Sequence, residues 1–239
     1  MEKFKDKLFI VIPCYNEEEN IKNVIEDYNK IILNFENGKV LILNDGSKDK
    51  SAEIIKLNIQ NKTQFIFIDK QNSGHGSTCL FGYKLAIEQN ADYIFQVDSD
   101  NQNNSQDFWK LWLQKDKADF VFGNRKPRKD GFFRKIITTI LKMCILIIFK
   151  VNVKDPNVPF RLMNAKILKK YIEIFPELSF SINSLISIML LKNKEKIDWV
   201  DVEFLKREKG QGSISIIPIL KNSKKVITEL IWLKKNIKI

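Results

Sequence analysis

The chain has 239 residues, a net charge of +11, 44% hydrophobic residues, nine Gly and six Pro, which describes a folded globular protein and excludes a disordered or collagen-like one. Three scattered cysteines (Cys14, Cys79, Cys144) and a single histidine, His75, exclude a disulfide framework, a zinc site with the usual spacing and a multi-histidine metal site. In chain order, "KLFIVIP" (7–13) reads as a buried strand and "NEEENIKNVIEDYNKIILNF" (16–35) as an amphipathic helix. "KVLILN" (39–44) is a second strand, followed by a helix over 47–60 with Ser47 or Asp49 near its cap. "TQFIFID" (63–69) is a third strand, and a Gly-rich turn leads into a helix over 76–89. "DYIFQVD" (92–98) is a fourth strand, "SQDFWKLWLQKD" (105–116) a helix and "DFVFG" (119–123) a fifth strand. Continuous apolar strands alternating with helices predict an α/β fold, a mostly parallel central sheet with helices on both faces.

The second half changes character. "FFRKIITTILKMCILIIFK" (132–150) predicts a long apolar helix whose polar positions share an arc of about 160°. Its uncharged runs are shorter than the roughly 20 residues of a membrane span, so it reads as a helix lying in a membrane interface. "PELSFSINSLISIMLLK" (176–192) reads as a second apolar helix of the same kind, "IDWVDVEF" (197–204) as a late strand, and the tail from 217 as a basic amphipathic helix. Residues 125–150 and 206–238 each carry a net charge of +7, so the rest of the chain is acidic. Such asymmetry fits two kinds of partner, one of them an anionic membrane surface or a nucleic acid. No nucleic-acid recognition motif accompanies the charge, which leaves nucleic-acid binding as the remote alternative. The N-terminus has no signal-peptide pattern, so a peripheral position on the cytoplasmic, inner face of the cell membrane is expected.

Two strands end in acid: "NDGSKD" (44–49) follows the second and "QVDSDNQ" (96–102) runs out of the fourth. In a parallel sheet both turns fall on the carboxyl rim, where ligands bind. Asp98 and Asp100, two residues apart, repel unless a cation neutralises them. Mg²⁺ or Mn²⁺ with a nucleotide diphosphate does this, and Gln102 adds a neutral oxygen.

"IVIPCYNEEENI", "NDGSKD", "NSGHGST" and "QVDSDNQ", in this order and each at a strand end, resemble glycosyltransferase family 2. With "VKDPNVPFRLMN" and "VEFLKREKGQGSIS" the resemblance extends over about 8–216, in the branch similar to dolichyl- and polyprenyl-phosphate sugar synthases. It implies a Rossmann-like A-type glycosyltransferase fold, with a catalytic domain at 1–217, the interface helix 132–150 inside it, and a C-terminal helix at 218–239. It implies that Pro13, Tyr15, Glu17 and Asp45 bind the nucleotide, Asp45 at the base, and that Gly74 and Gly76 let backbone approach the donor. His75 between them reads as a turn residue. Asn44 stands where the family's commonest form has Asp, which leaves a UDP- or GDP-linked donor open. Asp98 falls near ribose and phosphate, Asp100 with Gln102 at the metal, and Arg207, with Gly210 and Ser213 behind it, in a loop closing over the diphosphate. Arg125, Arg134 and Thr138 match positions that grip an acceptor phosphate, where an Arg fork suits the geometry. No counterpart is found of the acidic motif that supplies a general base to sugar acceptors in this family, and a phosphate acceptor needs none. The resemblance therefore implies metal-assisted, inverting transfer of a hexose from a nucleotide-diphosphate sugar to a polyprenyl phosphate, beside an anionic membrane surface and an integral membrane partner. The alternative is transfer to a surface saccharide or lipid, with Glu177 or Asp155 as base.

Overall fold

The first strand is buried at every position. It is β1 (Leu8–Cys14) of a computed structural model that describes residues 2–126, 132–205 and 216–236, with side chains for 2–126, 138–205 and 224–236. After it come α1 (Ile21–Ile32), β2 (Lys39–Asp45), α2 (Ser51–Ile59), β3 (Phe65–Lys70), α3 (His75–Glu88) and β4 (Tyr93–Gln96). A 3-10 turn at Ser105–Asp107 leads to α4 (Phe108–Trp112), β5 (Phe120–Lys126), α5 (Phe132–Phe149), β6 (Arg161–Asn164), α6 (Ala165–Ile172), α7 (Ile182–Lys192), β7 (Ile197–Glu203) and α8 (Ile216–Asn236). The sheet runs β3-β2-β1-β4-β6-β5-β7, and every pairing is parallel except those of β6. α1 buries Ile21, Val24, Ile25, Tyr28, Ile31 and Ile32, the three-and-four spacing that its sequence shows. The strand order turns back beside β1, between β2 and β4, and this is where a crevice opens at the carboxyl ends.

β6 and α6 were not anticipated. β6 has four residues and an arginine in its first position, so no apolar run announces it. Inserted antiparallel between β4 and β5, it buries Arg161 completely. The guanidinium is stabilised by the Val158 and Asn183 carbonyls, with Nε 2.8 Å from the former, and lies 4.7 Å from the Phe122 ring centre. The predicted helix over 105–116 is shorter, because residues after Trp112 leave α-geometry in turns.

The apolar helix at 176–192 is corrected. Its helical part, α7, buries every residue from Ile182 to Leu190, so it is a core helix and not an interfacial one. α5 behaves otherwise. It buries Ile145 and Phe149 and half-buries Leu141 and Ile148, while Ile140, Met143 and Ile147 point outward, Ile147 with 74% exposure. In a helix that only covers a core, the apolar side faces inward; here much of it faces out. α8 packs beside α5 and α7, burying Leu230 and Leu233 and exposing Ile227 and Ile231. No helix among the described residues is long and apolar enough to cross a membrane.

Candidate active site

The loops after β1 and β2 are stitched into one rim by backbone-to-side-chain bonds. Asn16, in the left-handed region at φ 54°, donates its N–H to Ser47 Oγ (2.9 Å) and accepts from Lys48 N (2.8 Å). Glu17 N donates to Ser51 Oγ (2.8 Å), and Glu18 N to Asp49 Oδ2 (3.1 Å). Asp49 also accepts from Ser51 N, which starts α2. Asn44 is buried below: its amide donates to Asp69 (2.7 Å) and its oxygen accepts from Ser47 Oγ (2.5 Å). An Asp at 44 would face the Asp69 carboxylate, whereas the Asn amide donates to it.

Asp45 is buried and accepts from Lys70 Nζ (2.5 Å), Ser73 N (2.8 Å) and Gly74 N (2.8 Å). Burial alone would raise its pKa, but the hydrogen bonds from Lys70, Ser73 and Thr78 outweigh it and hold the carboxyl below its usual range. The same contacts fix the turn before α3, where Gly74 has φ 89°, a conformation that favours glycine. Gly76 is packed elsewhere: an added Cβ would collide with the carbonyl oxygens of Ser179 and Phe180.

β4 ends at Gln96, yet both Asp98 and Asp100 face the same cavity of about 840 Å³. Asp98 Oδ1 accepts from Gln96 Nε2 (3.0 Å) and lies 2.9 Å from His75 Nε2. Cys79 beside the half-exposed His75 ring, and then the Asp98 carboxylate, hold the imidazole pKa well above its usual range. Asp100 Oδ1 accepts from Gln102 N (3.2 Å), and Gln102 Nε2 donates to Leu205 O (3.3 Å). Cys14 also lines the cavity, but burial pushes its thiol up to about 12, so it remains a protonated and unreactive wall.

Eight of the residues singled out in the sequence come together here: Pro13, Tyr15, Glu17, Asp45, Gly74, Asp98, Asp100 and Gln102 all line the cavity. Three others lie off it. Gly76 is in the α3–α7 contact, Thr138 is half-buried on α5, and Arg125 is held by Asp155 at 2.7 Å with Phe204 under its guanidinium. Arg207, with Gly210 and Ser213, and the Arg134 side chain lie outside the described residues. Of the two alternative bases, Glu177 is exposed and off the cavity, and Asp155 is the partner of Arg125.

Sequence reasoning missed the far wall, which consists of Leu141 from α5, Val226 from α8, Asn157, and Phe180, Ser181 and Ser184 around the start of α7. These residues carry no motif that a sequence reveals, because tertiary packing assembles them. His75 shows a signal in hindsight: a histidine between two glycines at a helix start sits where backbone and ligand meet.

The reversing sheet, with carboxylates gathered at its rim, defines a doubly wound α/β protein with its ligand cleft at the order reversal. Comparison with known proteins makes this specific. Residues 9–173 match the family described as Glycosyl transferase family 2, and the chain belongs to that family. An uncharacterised protein of Methanocaldococcus jannaschii is 28% identical over 238 residues, covering 92% of this chain and 97% of that protein. The undecaprenyl-phosphate 4-deoxy-4-formamido-L-arabinose transferase of Proteus mirabilis is 31% identical over 144 residues, 59% of this chain and 43% of the transferase, so the chain spans less than half of that relative. The Mycobacterium tuberculosis glucosyl-3-phosphoglycerate synthase, crystallised with Mn²⁺, UDP and glucosyl-3-phosphoglycerate, shares the fold with a TM-score of 0.72 and 13% identity, over 98% of this chain and 81% of that one. The A-type glycosyltransferase fold expected from the sequence is therefore the fold observed, and the relatives include a polyprenyl-phosphate sugar transferase, as the resemblance anticipates.

Proposed function

We propose that the protein transfers a sugar from a nucleotide-diphosphate donor to a polyprenyl phosphate, working at the cytoplasmic face of a membrane. The observation that carries this reading is the position of α5. One face of that helix presents Ile140, Met143 and Ile147 outward, while its Leu141 lines the acidic cavity. A lipid lying along the exposed face would bring its phosphate to the mouth of the cleft. Lys150 just after α5 and Lys224, Lys225, Lys234 and Lys235 on α8 are exposed and suit an anionic headgroup layer.

The rim supplies the donor side. Glu17, Asp45 and the stitched loops hold nucleoside and ribose. Asp100 and the Gln102 oxygen form an all-oxygen set with Asp98 nearby, which fits Mg²⁺ or Mn²⁺ completed by phosphate oxygens. Such an ion would neutralise charge on the departing diphosphate. A Mn²⁺ ion with UDP in the related synthase supports this assignment. In the reaction an oxygen of the acceptor phosphate attacks the anomeric carbon. The bond from that carbon to the diphosphate oxygen breaks, the nucleoside diphosphate leaves with the electron pair, and the configuration inverts. The attacking oxygen is already ionised at neutral pH, so positioning and charge carry the step. The carboxylates that line the cavity among the described residues are those assigned to the donor, and neither alternative base reaches it.

Incubating the protein with Mg²⁺, a panel of UDP- and GDP-sugars and a short polyprenyl phosphate, read by mass spectrometry, tests the reading. One glycosylated lipid phosphate is the expected product. Arg134→Ala should lower its formation by about 10- to 150-fold, as loss of a charge-assisted hydrogen bond does, while nucleotide binding persists and Glu177→Gln changes little. Loss of transfer with Glu177→Gln alone, or transfer only to a saccharide, overturns it.

A further inference from the structure

The two walls of the cavity differ in charge. The rim wall carries Glu17, Asp45, Asp98 and Asp100, which suit a cation, phosphates and a nucleoside. The wall around the start of α7 carries Ser181, Ser184 and Asn157, neutral groups that suit uncharged hydroxyls. Ser184 is 1% exposed, and its Oγ has no hydrogen-bond partner among the described residues, although it lines the cavity. A buried hydroxyl without a partner costs free energy in the empty protein and is satisfied when a ligand supplies one.

The surroundings hold this hydroxyl in place. Ser181 precedes the helix without capping it through its side chain; its hydroxyl donates to Glu229 of α8, whose carboxylate also accepts from Phe180 N (2.5 Å) and Ser181 N (2.9 Å). A carboxylate of the chain thus already occupies this helix N-terminus, which argues against an added anion there. Asn183, the neighbour of Ser184, donates to Gln96 Oε1 (3.0 Å), and Gln96 donates to Asp98 (3.0 Å). Two hydrogen bonds therefore separate the first turn of α7 from the carboxylate placed at the donor phosphates. One turn further on, Ser187 Oγ reaches Pro156 O (3.4 Å) and anchors the segment that brings Asn157 into the cavity.

We propose that the first turn of α7 is the subsite for the transferred sugar and that Ser184 Oγ hydrogen-bonds directly to one of its hydroxyl groups, making Ser184 a specificity-determining residue. This rests on the nucleotide-sugar reading above. Titration calorimetry of the full chain and of Ser184→Ala, with Mg²⁺, tests it against UDP, GDP, UDP-glucose, UDP-N-acetylglucosamine and GDP-mannose. Ser184→Ala should bind the nucleoside diphosphate as the unchanged protein does, and the preferred nucleotide sugar about five- to tenfold more weakly. Its unfolding temperature without ligand should be equal or higher, because an unpaired hydroxyl has been removed. Equal affinity of both proteins for the nucleotide sugar, a parallel loss for the nucleoside diphosphate, or a lowered unfolding temperature overturns the subsite alone. If the unchanged protein binds the diphosphates but no nucleotide sugar, the donor assignment and the subsite fall together.

Discussion

Asp98 and Asp100 stand two residues apart but are held by different means. Asp98 is shared between His75 and Gln96, whereas Asp100 is bonded locally to the Gln102 amide. The proposed reaction makes Asp100 a metal ligand and Asp98 a positioning group. Asp100→Ala should fold normally and lower turnover by about 100- to 1,000-fold, the loss of several kcal/mol of charge stabilisation. EDTA should abolish activity in the unchanged protein, and Mn²⁺ or Mg²⁺ should restore it; full activity in EDTA would end the metal assignment. Asn44 gives a prediction about stability. Asn44→Asp replaces a buried donor 2.7 Å from Asp69 with a second carboxylate. It should destabilise the fold by about 2 kcal/mol, read as a lower midpoint in urea, with the deficit shrinking as acid protonates the pair. An unchanged midpoint at neutral pH would show that Asn44 is replaceable.

At the scale of elements, the contact of α3 with the start of α7 joins the donor rim to the far wall. Ser77 Oγ and Ser179 exchange hydrogen bonds across it, donating to the carbonyl at 3.2 Å and accepting from the N–H at 3.1 Å, and Gly76 lies flush against the carbonyls of 179 and 180. Gly76→Ala should force the two helices apart and cost about 1–3 kcal/mol as overpacking does. Because the shift moves both walls, activity should fall more than stability; circular dichroism melts beside turnover measurements check this. If Gly76→Ala leaves both unchanged, the contact is slack. The element that reversed an expectation is α7. Its sequence resembles that of α5 in apolarity, but two serines and an asparagine within it find places among Tyr83, Gln96, Pro156 and the cavity, so it belongs inside.

For the whole molecule, the outward apolar side of α5 and the exposed Ile227 and Ile231 of α8, fringed by lysines, are the features that fit a membrane. Electrostatic attachment weakens with salt, and burial of apolar side chains does not. Liposomes containing anionic lipid should therefore retain the protein partly in high salt. The double change Met143→Glu with Ile147→Glu should release it, while nucleotide binding in solution stays intact because neither residue lines the cavity. Retention of the double variant at the level of the unchanged protein would remove the membrane from the account. Arg125 also takes its role at this scale. Held by Asp155 and stacked on Phe204, it ties β5 to the loop before β6 and to the end of β7.

Runs such as "FIVIP" and "VLILN" were legible as strands from the sequence alone, because a strand covered on both faces must be apolar throughout. The acidic turns were legible too, since a carboxylate at a strand end is reached by counting along one segment. The family motifs followed from the same local spacing, and with them eight of the residues that line the cavity. What counting cannot reach is the pairing of side chains distant in the chain: His75 with Asp98, Glu229 with the start of α7, or Arg125 with Asp155. Nor does an apolar helix state which solvent its apolar face meets, so α5 and α7 look alike until packing turns one outward and the other in. Local periodicity determines what each segment is; only the close packing of the whole chain decides which buried hydroxyl, amide or carboxylate is left facing the cavity.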